Sequence, residues 1–448
     1  MSDESTTDKK PSSMLGRYVA PRTVAEGIHI VSTQGNGVVI ETGSGLVIVD
    51  AGPGGRITER MITDARSLSD LPLRAIVYSH GHVGYNAGVR QWRDHERQRG
   101  NAGPVTIGQA NVPARLARYR ETRDFQVLQN LHQFPRGNRA SMEIALDIED
   151  PAETFDEVFV LDDATRPIEV RAAPSETDDS ICLWLPEQRV LYGGPAVIPG
   201  FPNIGTPLRT QRLTRRWIDT LDMMIALDAE LLIPEFGDVV VGSDAVRSRL
   251  STTADALRWL EAEVISRLNR GMTDVEIIHD LPDPGPVFDH PHLAPSYGSP
   301  DYVIRDLVRE QSGWWMSRNP TDLHPAHPDA AAEAVLRAVD PEAVVAAARA
   351  HFDDGEYQLA LHVIDLVALA PGDDETVVAA RTLKAECCEK LARQTDPFVS
   401  RSLYKSAAVM LRAGRRRWSE APLGPASVSS GPESSGSESP GADGGVQP

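Results

Sequence analysis

The chain has 448 residues, 41% of them apolar, enough to bury a large core and to build two or three domains. Its 64 acidic against 45 basic residues give a formal charge of −19, which argues against nucleic acid or an anionic membrane as a general partner and still allows a small anionic substrate held by local groups. No apolar run reaches the ~18 residues a bilayer span needs. The polar segment Met1–Lys10 leads into no apolar stretch of signal-peptide type, and three cysteines (Cys182, Cys387, Cys388) are too few for a disulfide framework. The expected setting is cytoplasmic.

Residues 1–15 read as a disordered tail. Gly27–Ser32, Gly37–Thr42 and Gly45–Asp50 are short β-rich runs punctuated by Gly and Asn, the pattern of consecutive antiparallel strands. Ile57–Leu68 is periodic and predicts a helix crossing back before the strand Ala75–Tyr78. That strand delivers Ser79-His80-Gly81-His82. Two histidines at i and i+2 lie on the same side of an extended segment, and a turn at a strand end frees both imidazoles to reach one cation.

The spacing then predicts a helix over Arg90–Gly100, a strand over Pro104–Gly108, and a polar helical stretch over Asn111–Gly137 in which His132 belongs to a solvated face. A second half opens at about Val158. Strand Ile168–Pro174, polar turn Ser175–Ser180, strand Ile181–Pro186 and strand Arg189–Tyr192 are followed by a Pro/Gly-rich loop, a helix over Thr210–Ala226 and a last strand, Leu231–Gly237. This first domain is placed at 16–245. Helices and Pro-rich loops fill 246–328, where His290-Pro-His292 reads as exposed loop histidines. Residues 329–415 form a helical array with a tetratricopeptide-like junction at Asp353–Tyr357. Residues 416–448 are Ser, Gly, Pro and Glu with few apolar side chains, a disordered tail.

Two stretches carry a family resemblance. The order of three strands, Asp50-Ala51-Gly52, helix, strand and His-x-His resembles the N-terminal half of a metallo-β-lactamase-fold hydrolase, whose motif is H-x-H-x-D-H. Here the positions read His80, His82, Gly84 and Tyr85. Ser296–Pro325 resembles the linear alkylsulfatases in Tyr297, Gly298, Gly313, Trp314, Asn319, Pro320, Leu323, His324 and Pro325. The resemblance covers about residues 18–412. It implies an α/β protein, a metallo-β-lactamase αβ/βα sandwich followed by an all-α dimerisation domain, and hence a homodimer. The sterol-carrier-like domain of full-length alkylsulfatases has no counterpart in it.

The family holds two metals. The resemblance implies His80, His82 and Glu176 as ligands of the first. The second set falls on Gly84, Tyr85, the vicinity of Glu235 or Phe236, and about Pro195, so it is lost as a set. The expectation is one divalent metal, Zn²⁺ first, with Fe²⁺ or Mn²⁺ equally suited to two histidines and a carboxylate, and with Glu235 available as a further carboxylate. Arg209 falls near the family's sulfate-contacting arginine and Asn203 matches an upstream asparagine, which makes both substrate-binding candidates for an anionic small molecule. The family's substrate-side histidine is replaced by Tyr302, so Tyr85 or Tyr302 would serve as the catalytic acid. The leading reading is a metal-dependent hydrolase of a small organic sulfate or related ester. The alternatives are a diverged mononuclear metalloenzyme performing a lyase or iron-dependent oxidative step, and a non-catalytic dimeric binding protein.

Overall fold

The central strands of the first half are apolar on both faces because each face meets a separate layer. In β4 (Gly45–Val49), after β1 (Arg22–Ala25), β2 (Ile28–Ser32) and β3 (Asn36–Thr42), Val47 and Val49 enter one core while Leu46 and Ile48 enter another. The two-residue period of a strand sorts them. The first core lies between two sheets. The second lies under the helices outside the first sheet. The structure, a computed structural model, describes residues 18–134 and 138–420; the predicted N-terminal tail and all but the first residues of the C-terminal one lie outside the described residues.

After α1 (Gly55–Leu68), strand β5 (Leu73–Val77) pairs parallel with β4. Then come α2 (Val89–Gln98), β6 (Val105–Gln109), α3 (Val112–Glu121), α4 (Arg123–Gln133), α5 (Arg139–Ala145) and β7 (Glu153–Phe155), which closes a seven-stranded sheet in the order β1 to β7. The stretch predicted as one helix over Asn111–Gly137 is two. Thr122 leaves helical geometry, and its hydroxyl donates to the Arg118 carbonyl at 2.7 Å, ending α3 where α4 begins. Residues 135–137 of that stretch lie outside the described residues.

The second sheet opens with β8 (Val158–Leu161) and continues through β9 (Ile168–Ala172), β10 (Ile181–Leu185), β11 (Val190–Gly194), α6 (Thr214–Ala226), β12 (Leu231–Pro234) and β13 (Val240–Val241), in the order β13-β12-β11-β10-β9-β8. Its outer face packs under α6, α7 (Ser243–Leu268), α8 (Asp274–Asp280) and α9 (Pro300–Ser312) through Trp184, Leu191, Trp217, Leu257 and Ile304. The helix predicted from Thr210 starts four residues later, at Thr214, and in the segment before it the Arg212 backbone N–H donates to Asp306 Oδ2 at 3.0 Å.

Among the described residues five α-helices follow: α10 (Pro328–Ala338), α11 (Pro341–Asp353), α12 (Tyr357–Ala368), α13 (Glu375–Gln394) and α14 (Phe398–Arg412). α14 returns to the sandwich. His132, expected on a solvated face, is half-buried in that junction, bonded to Ser406 and stacked on Trp418 with ring centroids 4.1 Å apart. A long-range partner that no local pattern announces covers it. No helix among the described residues is long and apolar enough to cross a membrane.

Candidate metal centre and substrate cleft

Strand ends on one side of the sandwich converge. Asp50 follows β4 with φ 63° and accepts from the Ser79 backbone N–H at 2.8 Å and from Asn86 Nδ2 at 2.9 Å, so it fixes the loop that carries the histidines. Burial pushes its pKa up to about 6 against those bonds. The Ile181 N–H donates to the Ser79 carbonyl at 2.9 Å and ties the second sheet to that loop. Between the histidines, a Cβ on Gly81 would meet Asp179 Oδ2 at 2.7 Å, so the approach of the 175–180 turn requires glycine there.

That turn carries Glu176. It is pinned by Arg115 of α3, whose Nε donates to the buried Asp179 at 2.7 Å, and by the Thr177 N–H donating to Ser180 Oγ at 3.2 Å. Glu176 Oε2 lies 3.9 Å from His80 Nε2, and Oε1 lies 3.6 Å from His82 Nδ1. One donor atom from each of the three residues falls within 4.8 Å of the others. His80 is fully buried; its Nδ1 is 2.8 Å from Ser79 Oγ, which leaves Nε2 facing the cluster with no hydrogen-bond partner. Burial holds both imidazoles well below their ordinary pKa, with Arg115 and Arg212 adding to the effect, so both are neutral at pH 7 with lone pairs to donate. Two neutral imidazoles, one of them orphaned, beside a carboxylate form a donor set that suits a divalent cation.

Behind Glu176, Asn203 Nδ2 donates to Oε1 at 2.6 Å and Arg212, buried, stands 3.1 Å from the same oxygen. Asn203, expected at the substrate, is thus packed behind the carboxylate. Its carbonyl oxygen also accepts from Thr206 and its backbone carbonyl from Arg212. Arg212 was not legible among the arginines of TPLRTQRLTRR, since nothing local distinguishes it from Arg209, Arg215 or Arg216. On the other flank the Tyr85 ring stands edge-on to His80, with centroids 4.4 Å apart. Glu235, 1% exposed, has no partner at hydrogen-bond geometry for either oxygen. Burial and the charge of Glu176 push its pKa well above the carboxylate range, and the nearby Tyr85 hydroxyl acts in the opposite sense.

The cluster opens into a cleft of about 710 Å³ lined by His82, Tyr85, Glu176, Arg209 and Tyr297, with Phe125, Phe134 and Met142 as an apolar wall. Arg209 is half-buried there and makes no ion pair among the described residues. Tyr302 is not brought to the cleft. It lies on α9 and its hydroxyl bonds Ser400 of α14, so it belongs to the junction between domains. Tyr297, in the preceding loop, lines the cleft instead, accepts from Gln133 Nε2 at 2.7 Å, and is pushed up to about 12 by burial. His290 Nδ1 accepts from the His292 N–H at 3.3 Å within its own turn, away from the cluster.

Residues 31–235 match the metallo-beta-lactamase superfamily and residues 273–414 match the alkyl sulfatase dimerisation domain. A linear primary-alkylsulfatase from Pseudomonas sp. is 25% identical over 391 residues, covering 83% of this chain and 73% of the relative. An (R)-specific secondary-alkylsulfatase from Pseudomonas sp. is 26% identical over 416 residues, covering 85% of this chain and 60% of the relative. The solved structure of the stereoselective inverting sec-alkylsulfatase Pisa1 from Pseudomonas sp. superposes with a TM-score of 0.75 at 21% identity, over 89% of this chain and 66% of that one. The chain therefore spans 60% to 73% of the lengths of these relatives. The metallo-beta-lactamase fold implies a divalent metal, and the described residues contain one His/Glu cluster of that kind, His80, His82 and Glu176.

Proposed function

Because residues 31–235 match the metallo-beta-lactamase superfamily and residues 273–414 match the alkyl sulfatase dimerisation domain, we propose that the chain is a metal-dependent hydrolase of a small organic sulfate or related ester, active as a homodimer with one divalent ion per chain. The observation that carries this reading is the orphaned His80 Nε2, fully buried and facing His82 and a carboxylate braced from behind. His80, His82 and Glu176 would hold the ion, with Zn²⁺ favoured and Fe²⁺ or Mn²⁺ as the alternatives. A bound divalent ion supplies Lewis acidity, polarising an ester oxygen or lowering the pKa of water.

The side chains divide the remaining work. Asn203 and Arg212 hold Glu176 Oε1 and leave Oε2 turned toward His80. Arg209, which forms no ion pair among the described residues, offers the anion a planar fork. The hydroxyls of Tyr85 and Tyr297 stay protonated, since burial raises both above the ordinary phenol value, and they orient the ester as hydrogen-bond donors. A phenol releases a proton less readily than an imidazolium, so the preferred esters have good leaving groups. The apolar wall of Phe125, Phe134 and Met142 receives the organic part. Three buried free cysteines fit the reducing cytoplasm.

The test is metal content per chain beside sulfate release from a panel of alkyl and aryl sulfates, for the wild type, His80→Ala and Glu176→Ala. About one zinc in the wild type, lost in both variants together with ester cleavage, is the expected result. A wild type without metal, or with metal but no cleavage of any ester, overturns it. One iron per chain would favour a second reading, a lyase or oxidative mononuclear enzyme, which the two-histidine, one-carboxylate set and the shortage of a cleft acid also suit.

A further inference from the structure

Beside the metal cluster lies a side chamber of about 440 Å³, walled by α3, by residues 174–178 and by the segment leading into α6. It shares Glu176, Arg118, Thr210 and Gln211 with the main cleft, so a molecule seated at the histidines has this chamber next to it. The apolar wall of Phe125, Phe134 and Met142 belongs to the main cleft alone.

The chamber is cationic in a chain of net charge −19. Four arginines, Arg115, Arg118, Arg212 and Arg216, face two carboxylates, Glu176 and Asp178. Both carboxylates are already matched, Asp178 by Arg115 and Glu176 by Arg212. Arg118 and Arg216 form no ion pair within 4.0 Å among the described residues. The Arg118 guanidinium rests 5.2 Å from the Tyr119 ring centroid, and Glu310 reaches Arg216 only through longer-range charge. In a chain with more acidic than basic residues, most arginines near the surface find a carboxylate, as Arg120, Arg215 and Arg258 do here. Two that do not, on facing walls of one chamber, leave donor forks of the kind that grip a carboxylate, sulfonate or sulfate.

We propose that this chamber is a second anion subsite and that the substrate is accordingly a dianion, an organic sulfate or related ester that carries a further acidic group within short reach of the scissile bond. This rests on the reading of the main cleft as a sulfate-ester site, but the subsite itself is read by binding and needs no turnover. Arg118 stands where the two spaces meet and would sense both charges. Arg216 belongs to the chamber alone.

The experiment is calorimetric titration of the full chain with a short alkane disulfonate and with the matching monosulfonate, neither of which has an ester to cleave, in the wild type, Arg216→Gln, Arg216→Lys and Arg118→Gln. The expected result is disulfonate binding about tenfold tighter than monosulfonate in the wild type, as one charged hydrogen bond supplies. That advantage should shrink with added salt, disappear in both glutamine variants and partly return in Arg216→Lys. Equal affinity for the two ligands, no binding of either, or an advantage that survives in both glutamine variants overturns the subsite. Unchanged thermal midpoints certify that the variants fold. Sulfate release without a disulfonate preference would sink the subsite alone, whereas a disulfonate preference with no ester cleaved would sink the hydrolase reading and leave the subsite standing.

Discussion

Asp163 and the histidine cluster, at opposite ends of the sandwich, treat their polar atoms in opposite ways. At the end away from the histidines, the Asp163 side chain is 3% exposed and accepts from the backbone N–H groups of Gly43, Ser44, Thr165 and Arg166 and from the hydroxyls of Ser44 and Thr165, at 2.6 to 3.1 Å. Burial works against its charge, but the bonds from Thr165, Ser44 and Gly43 outweigh it and hold its pKa far below the carboxylate range. At the other end, His80 Nε2 and both oxygens of Glu235 are buried without a hydrogen-bond partner. Leaving such groups unpaired costs about 1–3 kcal/mol each. Asp163 finds its partners within the chain, whereas His80 Nε2 and the Glu235 oxygens, which converge at one place, find none among the described residues, and that convergence marks where something else binds.

Breaking the open end should give the largest effects. His80→Ala or Glu176→Ala is expected to abolish metal binding, a larger loss than the about 10–100-fold that an outer-shell partner commands, with the metal content of the purified protein as the measure. Asn203→Ala and Arg212→Met, which remove the braces behind Glu176, should weaken metal affinity by about 10–100-fold, read by competition with a chelator of known affinity, while stoichiometry at saturating metal is kept.

The satisfied end answers in stability. Asp163→Ala should lower unfolding free energy by about 2 kcal/mol in denaturant titration and leave metal content unchanged. Because the folded pKa of Asp163 lies below its unfolded value, its contribution is fully present above about pH 4 and is lost as pH falls toward the folded value, so wild type and variant should converge in acid. The smallest effect belongs to Tyr302→Phe. It removes one hydroxyl bond to Ser400 at the domain junction, worth about 1 kcal/mol, and should leave ester cleavage unaltered; a collapse of kcat would instead return Tyr302 to the reacting centre.

Residues set by local pattern were legible and those set by convergence were not. His80 and His82 follow a five-residue strand that its apolar β-rich run announces, whereas Glu176, in the polar turn between two apolar runs, was singled out only by the family resemblance. Tyr302 and Tyr297 lie five residues apart in one segment, and only the packing of α14 against α9 assigns the first to Ser400 and the second to the cleft. Asn203 and Arg209 were both read as substrate contacts. Asn203 turns to Glu176, and Arg212, three positions beyond Arg209, is buried beside it, because the loop before α6 folds under the 175–180 turn.

By itself the sequence determined the succession of strands, the helical array after them and the His80/His82 pair, since apolar β-rich runs, glycine-bounded turns and the i, i+2 spacing of the histidines act over a few residues, while Glu176 and the two-sheet sandwich were reached only through the family resemblance. Tertiary structure alone decided which polar atoms are left without partners, which arginines are neutralised and which are free, and which tyrosine faces the cleft. Those outcomes depend on distances between segments 27 to 164 residues apart, from Asn203 with Glu176 to Gln133 with Tyr297. Burial and charge at such a meeting point belong to the assembled sheets and helices, and no window of the chain contains them.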